Sequence, residues 1–448
     1  MSKLDKLIKE LCPDGVESKS LEDITISVNI GINPRKFFKL NPNGADCFYV
    51  TVRELNGLQG VKQYDKTDLI NKEAVEIIQS RANISVGDIL FSNTGTVGKM
   101  ALVTEPPTNW GVNEGIYIIK PKHDIVDSKY LYYYLASNMA YNQYSKKFTG
   151  STLKHVTQKA LQSLQIPLPD LLIQREIVHI LDSFTLLTAE LTAELTAELI
   201  ARRQQYEFYR DYLLNFEADS YSLVDDIEKV NVSNVEYKKI GDIATDIYRG
   251  AGIKRTEVTD EGTPCVRYGE IYTTYNVTFD KCVSHTKPDF VPNKKWFEHG
   301  DILFAITGES VEEIAKSCAY MGNDKCLAGG DIVVLKHKQN PKYLAYALST
   351  TNAQMQKSKG KVKSKVVHSS VPAICDIVVP IPPLEEQERI ANLIEKFDLL
   401  CNDIANGLPA EIEARKQQYE YYRDVLLSFD EERRSQFVKV ERERAMPQ

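Results

Sequence analysis

The chain has 448 residues, 43% of them hydrophobic and 26% charged, with a formal net charge of −7. That length holds two or three domains with cores of their own, and the composition is globular rather than disordered or fibrous. No run of 18 or more apolar residues offers a membrane span, and the mixed, charged opening "MSKLDKLIKELCPDG" lacks a secretory core, so a cytoplasmic address is expected.

Cysteines stand at 12, 47, 265, 282, 318, 326, 375 and 401, without a C-x-x-C pair or a histidine at ligand spacing. They read as reduced thiols rather than a metal site. The negative charge is unevenly placed: residues 171–216 hold seven acids and four bases, and 384–448 hold fifteen and ten. The remainder is close to neutral, so the net charge does not exclude a nucleic-acid partner.

In chain order, residues 1–166 read as a first globular unit. It carries "VGDILFSNTG" (86–95), a buried-looking strand followed by a turn at Thr94-Gly95, and "YLYYYL" from Tyr130. Near its end, "YSKKFTGSTLKHVTQK" (144–159) holds four lysines and no acid, including Lys146, Lys147 and Lys154, beside His155. Residues 167–217 read as a helical spacer. Ile177, Ile180, Leu181, Phe184, Leu187, Leu191, Leu195 and Leu199 form one apolar stripe at intervals of three and four, the last part written as three tandem "TAEL" units.

Residues 218–380 read as a second globular unit, with "HGDILFAITG" (299–308), "YLAYAL" from Tyr343 and the lysine run "QKSKGKVKSKVVHSS" (356–370), which contains Lys357, Lys359, Lys361, Lys363, Lys365 and His368. Residues 381–430 are helical again, with Ile390, Leu393, Ile394, Phe397, Leu400, Ile404, Leu408 and Ile412 as the stripe. Here "IANGLPAEI" replaces "LTAELTAEL", and the spacing predicts a break, with Gly407 as C-cap and Pro409 in a fresh first turn. Residues 431–448 form a tail.

These matches share one offset. Gln174-Arg175-Glu176-Ile177 precedes Gln387-Glu388-Arg389-Ile390 by 213, and so do Pro167 and Pro380, Phe184 and Phe397, His155 and His368, and Phe216 and Phe429. The chain is therefore an internal repeat of globule and helix. The expected fold is α+β: two globular α/β domains separated by two long antiparallel, coiled-coil-like helical regions related by a pseudo-twofold. The two stripes are expected to pack on each other, with chain start and end meeting near the first globule.

A lysine-rich loop recurring at one place in both units suits phosphate contact, which positions but does not specify. Base reading needs side chains that reach groove edges. Arg35 and Arg53 in the first unit, and Lys254, Arg255, Arg267 and Tyr268 in the second, are the candidates. The phrases "QQYEFYRDYLLNF" and "QQYEYYRDVLLSF" offer aromatic faces for partner helices through Tyr206, Phe208, Tyr209, Tyr212, Tyr419, Tyr421 and Tyr422.

Two unlike variable domains joined by such repeated helices, with tandem "TAEL" units in the first, resemble the DNA specificity subunit of type I restriction-modification systems, in the branch whose spacer helix varies by this tetrapeptide. The resemblance covers nearly the whole chain. It implies a subunit without its own active site, each globule a target-recognition domain reading half of a bipartite double-stranded DNA sequence. It implies docking of two methyltransferase subunits, and of restriction and translocation subunits. S-adenosylmethionine and ATP with Mg would be used by those partners, with no cofactor, catalytic residue or metal on this chain and no membrane contact. One tetrapeptide adds about 6 Å of helix and turns the face by about 40° beyond a full turn, against roughly 35° per base pair of B-DNA. Leu187, Leu191, Leu195 and Leu199 would thus belong to a spacer that sets the gap between half-sites.

Catalytic motifs are missing. Glu105-Pro106-Pro107-Thr108 fails the Asn/Asp-Pro-Pro-aromatic loop of adenine methyltransferases at both ends, and "NTGTVGKM" (93–100) fails the phosphate-loop pattern. The rival reading is a non-enzymatic coiled-coil scaffold with two peptide-binding domains, which shares the stripe but has no use for lysine loops.

Overall fold

The computed structural model describes residues 3–33, 37–150, 153–216, 235–359, 366–402 and 407–429. Arg35, Lys361, Lys363, Lys365 and the tail at 431–448 lie outside the described residues. The chain forms two compact units, 1–194 with 412–448, and 195–411. The boundary falls inside a single 43-residue helix, Leu171–Leu213, so each half of that helix belongs with one globule.

In the first unit, four antiparallel strands run in the order Thr25–Ile30, Ile116–Pro121, Ile89–Ser92 and Met100–Leu102. A second sheet orders Leu69–Ile70, Cys47–Val50 and Trp110–Val112, the last pair parallel. The "DILF" strand shows why no polar residue interrupts it. Successive side chains point to opposite faces: Ile89 and Phe91 pack with the helical layer, while Leu90 packs with Val50, Ile78 and Trp110 between the sheets. The second unit repeats the plan with two five-stranded sheets. Ile302 and Phe304 join the helical layer, and Leu303 and Ala305 face the second sheet.

The Gly-Asp before each strand makes a tight turn. Gly87 (φ +91) and Gly300 (φ +89) take the left-handed conformation. The buried carboxylates of Asp88 and Asp301 accept from the backbone N–H of Ser85 (2.8 Å) and Glu298 (2.9 Å), and pair with Lys120 (2.8 Å) and Lys336 (2.9 Å). Burial pushes both carboxyls above the usual range, with the lysines pulling the other way.

Helix packing corrects one expectation. The start of each stripe packs on its own globule and on the aromatic end of an antiparallel helix, rather than stripe on stripe. In the first unit Phe184 stacks on Tyr422 (6.0 Å) and Thr185 hydrogen-bonds Tyr419 (2.9 Å), while Ile177 and Leu181 share a core with Leu426 and Leu427. In the second, Phe397 stacks on Tyr209 (5.6 Å), while Ile390 and Ile394 share a core with Tyr206 and Leu213. Each stacked ring pair contributes about 1 kcal/mol beyond its burial. The first helix, Lys3–Leu11, buries Leu4 in the same core as Leu427, so chain start and final helix belong to one unit. The predicted break also falls in place: Leu384–Asn402 and Leu408–Ser428 are separate helices, with Pro409 second in the latter. Gly407 departs from its expected role. Its carbonyl accepts from the N–H groups of Ala410 and Glu411, so it caps the start of the second helix.

Candidate nucleic-acid interface

In both units the chain just past the Gly-Asp strand meets the basic segment near that segment's C-terminal end. Thr94 bridges His155, with Oγ1 to Nδ1 at 2.9 Å, and Thr307 bridges His368 at 3.1 Å. One residue later Val156 donates its backbone N–H to the Asn93 carbonyl (3.0 Å), as Ser369 does to Ile306 (2.8 Å). The Thr-Gly turn thus holds the basic segment at its histidine, a role its sequence did not disclose. In the first unit the loop closes on itself through paired backbone bonds between Thr149 and His155 (2.9 and 3.0 Å). Lys146, Lys147 and Lys154 are exposed around it, Lys154 over the Phe148 ring at 5.7 Å and Lys147 reaching Ser163 Oγ at 2.5 Å.

Arg53 lies at this same strand end. Its carbonyl accepts from Lys99 Nζ (3.1 Å), and Lys99 N–H in turn bonds Ser92 Oγ (2.8 Å) at the end of the "DILF" strand. The guanidinium is held by Glu54, Nε to Oε1 at 2.7 Å, and stays 45% exposed while Glu54 is buried. Burial alone would raise the Glu54 carboxyl. Hydrogen bonds from Thr51, Arg53 and Thr67 outweigh it and hold the group below its ordinary value, ionised. The second unit repeats this: Arg267 Nε lies 2.9 Å from the buried Glu270, which also accepts from Ser284 Oγ (2.7 Å). Tyr268 follows, partly exposed, and Lys254 and Arg255 are exposed on the segment after Ala251, whose N–H bonds the Ala328 carbonyl. A fixed, half-exposed arginine has already lost much of its rotamer freedom, which suits directional contacts. The buried glutamates were missed from sequence; Thr51-Val52-Arg53-Glu54 carries the Ser/Thr-x-x-Glu capping pattern that could have found the first.

The profile described as "Type I restriction modification DNA specificity domain" matches twice, over residues 13–201 and 232–414. The chain belongs to that family. Its members' role makes it a DNA-recognition subunit. It is 30% identical over 321 residues to the EcoR124I/EcoR124II type I restriction enzyme specificity subunit of Escherichia coli, covering 67% of this chain and 70% of that one. Over 334 residues it is 30% identical to a putative type I restriction enzyme specificity subunit of Haemophilus influenzae, covering 71% and 76%. A chain from a solved structure of complex assembly in a type I R-M system matches its fold with a TM-score of 0.63, at 16% identity, over 93% of this chain and 98% of that one.

Within this family fold, the structure redistributes several predicted residues. Lys357 is not on the surface. It is 4% exposed, with Nζ donating to the Leu348 carbonyl (2.7 Å) and Ser317 Oγ (3.3 Å) and lying 5.9 Å from the Phe304 ring centre. Burial, with Arg210 nearby, brings its pKa down to about 7. It is the next-to-last residue of the helix Thr351–Ser358, on the face that packs inward, where charge counting in the sequence could not see orientation. Lys359, just past that helix, is exposed.

The aromatic phrases also turn mostly inward. Tyr206 and Tyr422 are buried, Tyr209 and Tyr419 are engaged with Phe397 and Thr185, and Tyr212 stacks beside Phe208 (6.1 Å). Phe208 and Tyr421 remain open, 54% and 53% exposed, at positions 213 apart. Of the spacer leucines, Leu187 is 60% exposed and outside the packed stripe, whereas Leu191, Leu195 and Leu199 are half-buried. Among the described residues no helix is long and apolar enough to cross a membrane.

Proposed function

We propose that each unit reads one half of a bipartite, asymmetric double-stranded DNA target, and that catalysis belongs to partner subunits. The single observation that carries this reading is the repeated junction at one strand end: a Thr-His bridge holding the basic segment, beside an arginine locked onto a buried glutamate. The lysines meet phosphates. Arg53 and Arg267 approach base edges, with Tyr268 next to Arg267 and with Arg35, Lys254 and Arg255 as further candidates. A peptide-binding scaffold has no need for a basic loop at the same place in both units.

Two methyltransferase subunits dock on the helices through Phe208 and Tyr421, the exposed aromatic pair that the repeat places at equivalent positions. Those partners bind S-adenosylmethionine, and ATP- and Mg-using restriction subunits complete a cytoplasmic complex. The chain belongs to the branch in which "TAEL" units set the angle between half-sites. The test is assembly with a methyltransferase partner followed by DNA affinity measured against salt. A steep linear fall of log affinity with log salt is expected, and a flat response would refute phosphate contact. Phe208→Ser with Tyr421→Ser should abolish partner capture while leaving the thermal transition in place.

A further inference from the structure

The phrase "YRD" occurs once in each helical copy, and the aromatic packing does not account for its acid. Arg210 is paired with Asp211 (2.7 Å) and Arg423 with Asp424 (2.9 Å), both arginines largely buried. The free face of each carboxylate goes to a helix start 213 residues apart in the two units. Asp211 Oδ2 accepts from the N–H of Thr351 (3.1 Å), first residue of Thr351–Ser358. Asp424 accepts from the N–H of Asn138 (3.3 and 3.4 Å), first residue of Asn138–Ser145. A carboxylate at this end is also favoured by the helix dipole.

Each of these short helices is fastened again near its other end. Gln143 donates to the Gln165 carbonyl (3.0 Å) and accepts from its N–H (2.9 Å), and Gln356 does the same with Val378 (3.0 and 2.8 Å). Immediately beyond lie Lys146 and Lys147 in the first unit and Lys359 in the second. The rod therefore has a long helix at its head and the basic loop at its tail.

We infer that Asp424 and Asp211 are positioning residues for DNA contact: each fixes, through one two-turn rod, the placement of the lysine-bearing loop of its own unit relative to the long helices. The inference rests on the proposed phosphate role of those loops. It also makes the helices that carry Phe208 and Tyr421 mechanically continuous with the DNA-facing loops, so that docking on one side is felt on the other.

The donor can be removed without touching the helix. Thr351 and Asn138 each occupy the first helical position, where proline is tolerated, and Thr350 (φ −63, ψ 155) and Ser137 (φ −78, ψ 156) already hold the extended conformation required before it. In the full chain bound to its methyltransferase partner, Thr351→Pro is expected to lose amide-exchange protection over 352–359 only, and Asn138→Pro over 139–150 only. Each should weaken binding to the mapped target duplex about fivefold with an unchanged melting temperature. Asp211→Asn and Asp424→Asn, which keep an acceptor, should show only part of that loss.

Parental exchange and parental affinity in both proline variants would overturn the inference. Should a proline variant fail to fold, Asp211→Ala or Asp424→Ala decides by the same two readouts. A parental complex that shows no salt-dependent DNA binding would count against the proposed function instead, and amide exchange alone would then decide the rods.

Discussion

Lys357→Met separates a buried lysine from a DNA-contacting one. The Lys357 pKa of about 7 lies well below the ordinary value of 10.5. For a base whose folded pKa is depressed, the unfolded chain binds more protons between the two values, so stability rises with pH across that window and the full penalty is felt below pH 7. The whole shift corresponds to about 5 kcal/mol, at roughly 1.4 kcal/mol per unit. Between pH 6 and pH 9 this one group should raise the stability of the second unit by about 3 kcal/mol. Replacing it with methionine keeps the stem in place and removes the charge. Urea unfolding followed by Trp296 fluorescence, in a Trp110→Phe background, reports that unit alone, because the chain has two tryptophans. The variant should be more stable than the parent at pH 6 by about 2 kcal/mol, since the Leu348 carbonyl and Ser317 hydroxyl lose a donor. It should lack the rise toward pH 9 and bind DNA with the parental salt slope. A variant that kept the parental pH response, or lost about one unit of salt slope, would show that Lys357 faces solvent and phosphate.

Other consequences are equally direct. Gln174→Ala should destabilise the first unit by about 3 kcal/mol in urea unfolding read through Trp110, because its buried amide serves Asp127 N–H, the Ile125 carbonyl and the Pro169 carbonyl at once. Gln387→Ala should do the same to the second unit only. Arg53→Ala and Arg267→Ala should each relax recognition at one half-site by about 2 kcal/mol with little change in salt slope, checked by competition with singly substituted duplexes. Deleting residues 192–195 should change the gap between half-sites in mapped methylation sites, and an unaltered gap would defeat the spacer reading.

Much of the plan was legible because it is written twice. The offset of 213 located both "DILF" strands, both helices and both bridging histidines, and it holds down to individual contacts: Tyr130 donates to the Pro167 carbonyl as Tyr343 does to Pro380, and Lys129 pairs with Asp182 as Lys342 does with Glu395. The direction in which a side chain points was not legible. Lys357 counts as one of five lysines in a string, yet a helical turn rotates it inward while Lys359 stays outside. The tyrosines of "YEFYRDY" look like one sticky face, yet 3.6 residues per turn sends Tyr206 and Tyr209 into the second unit and leaves Phe208 out. Apolar spacing alone likewise did not show which surface each stripe would meet, since a helix face fits any apolar neighbour.

The glutamine that fastens the first globule to its helix grips peptide groups: Gln174 accepts from the Asp127 N–H and donates to the Ile125 and Pro169 carbonyls. Such a grip is blind to the side chains of the segment it holds. The outer surface of that globule can therefore drift through mutation while its mounting stays tight.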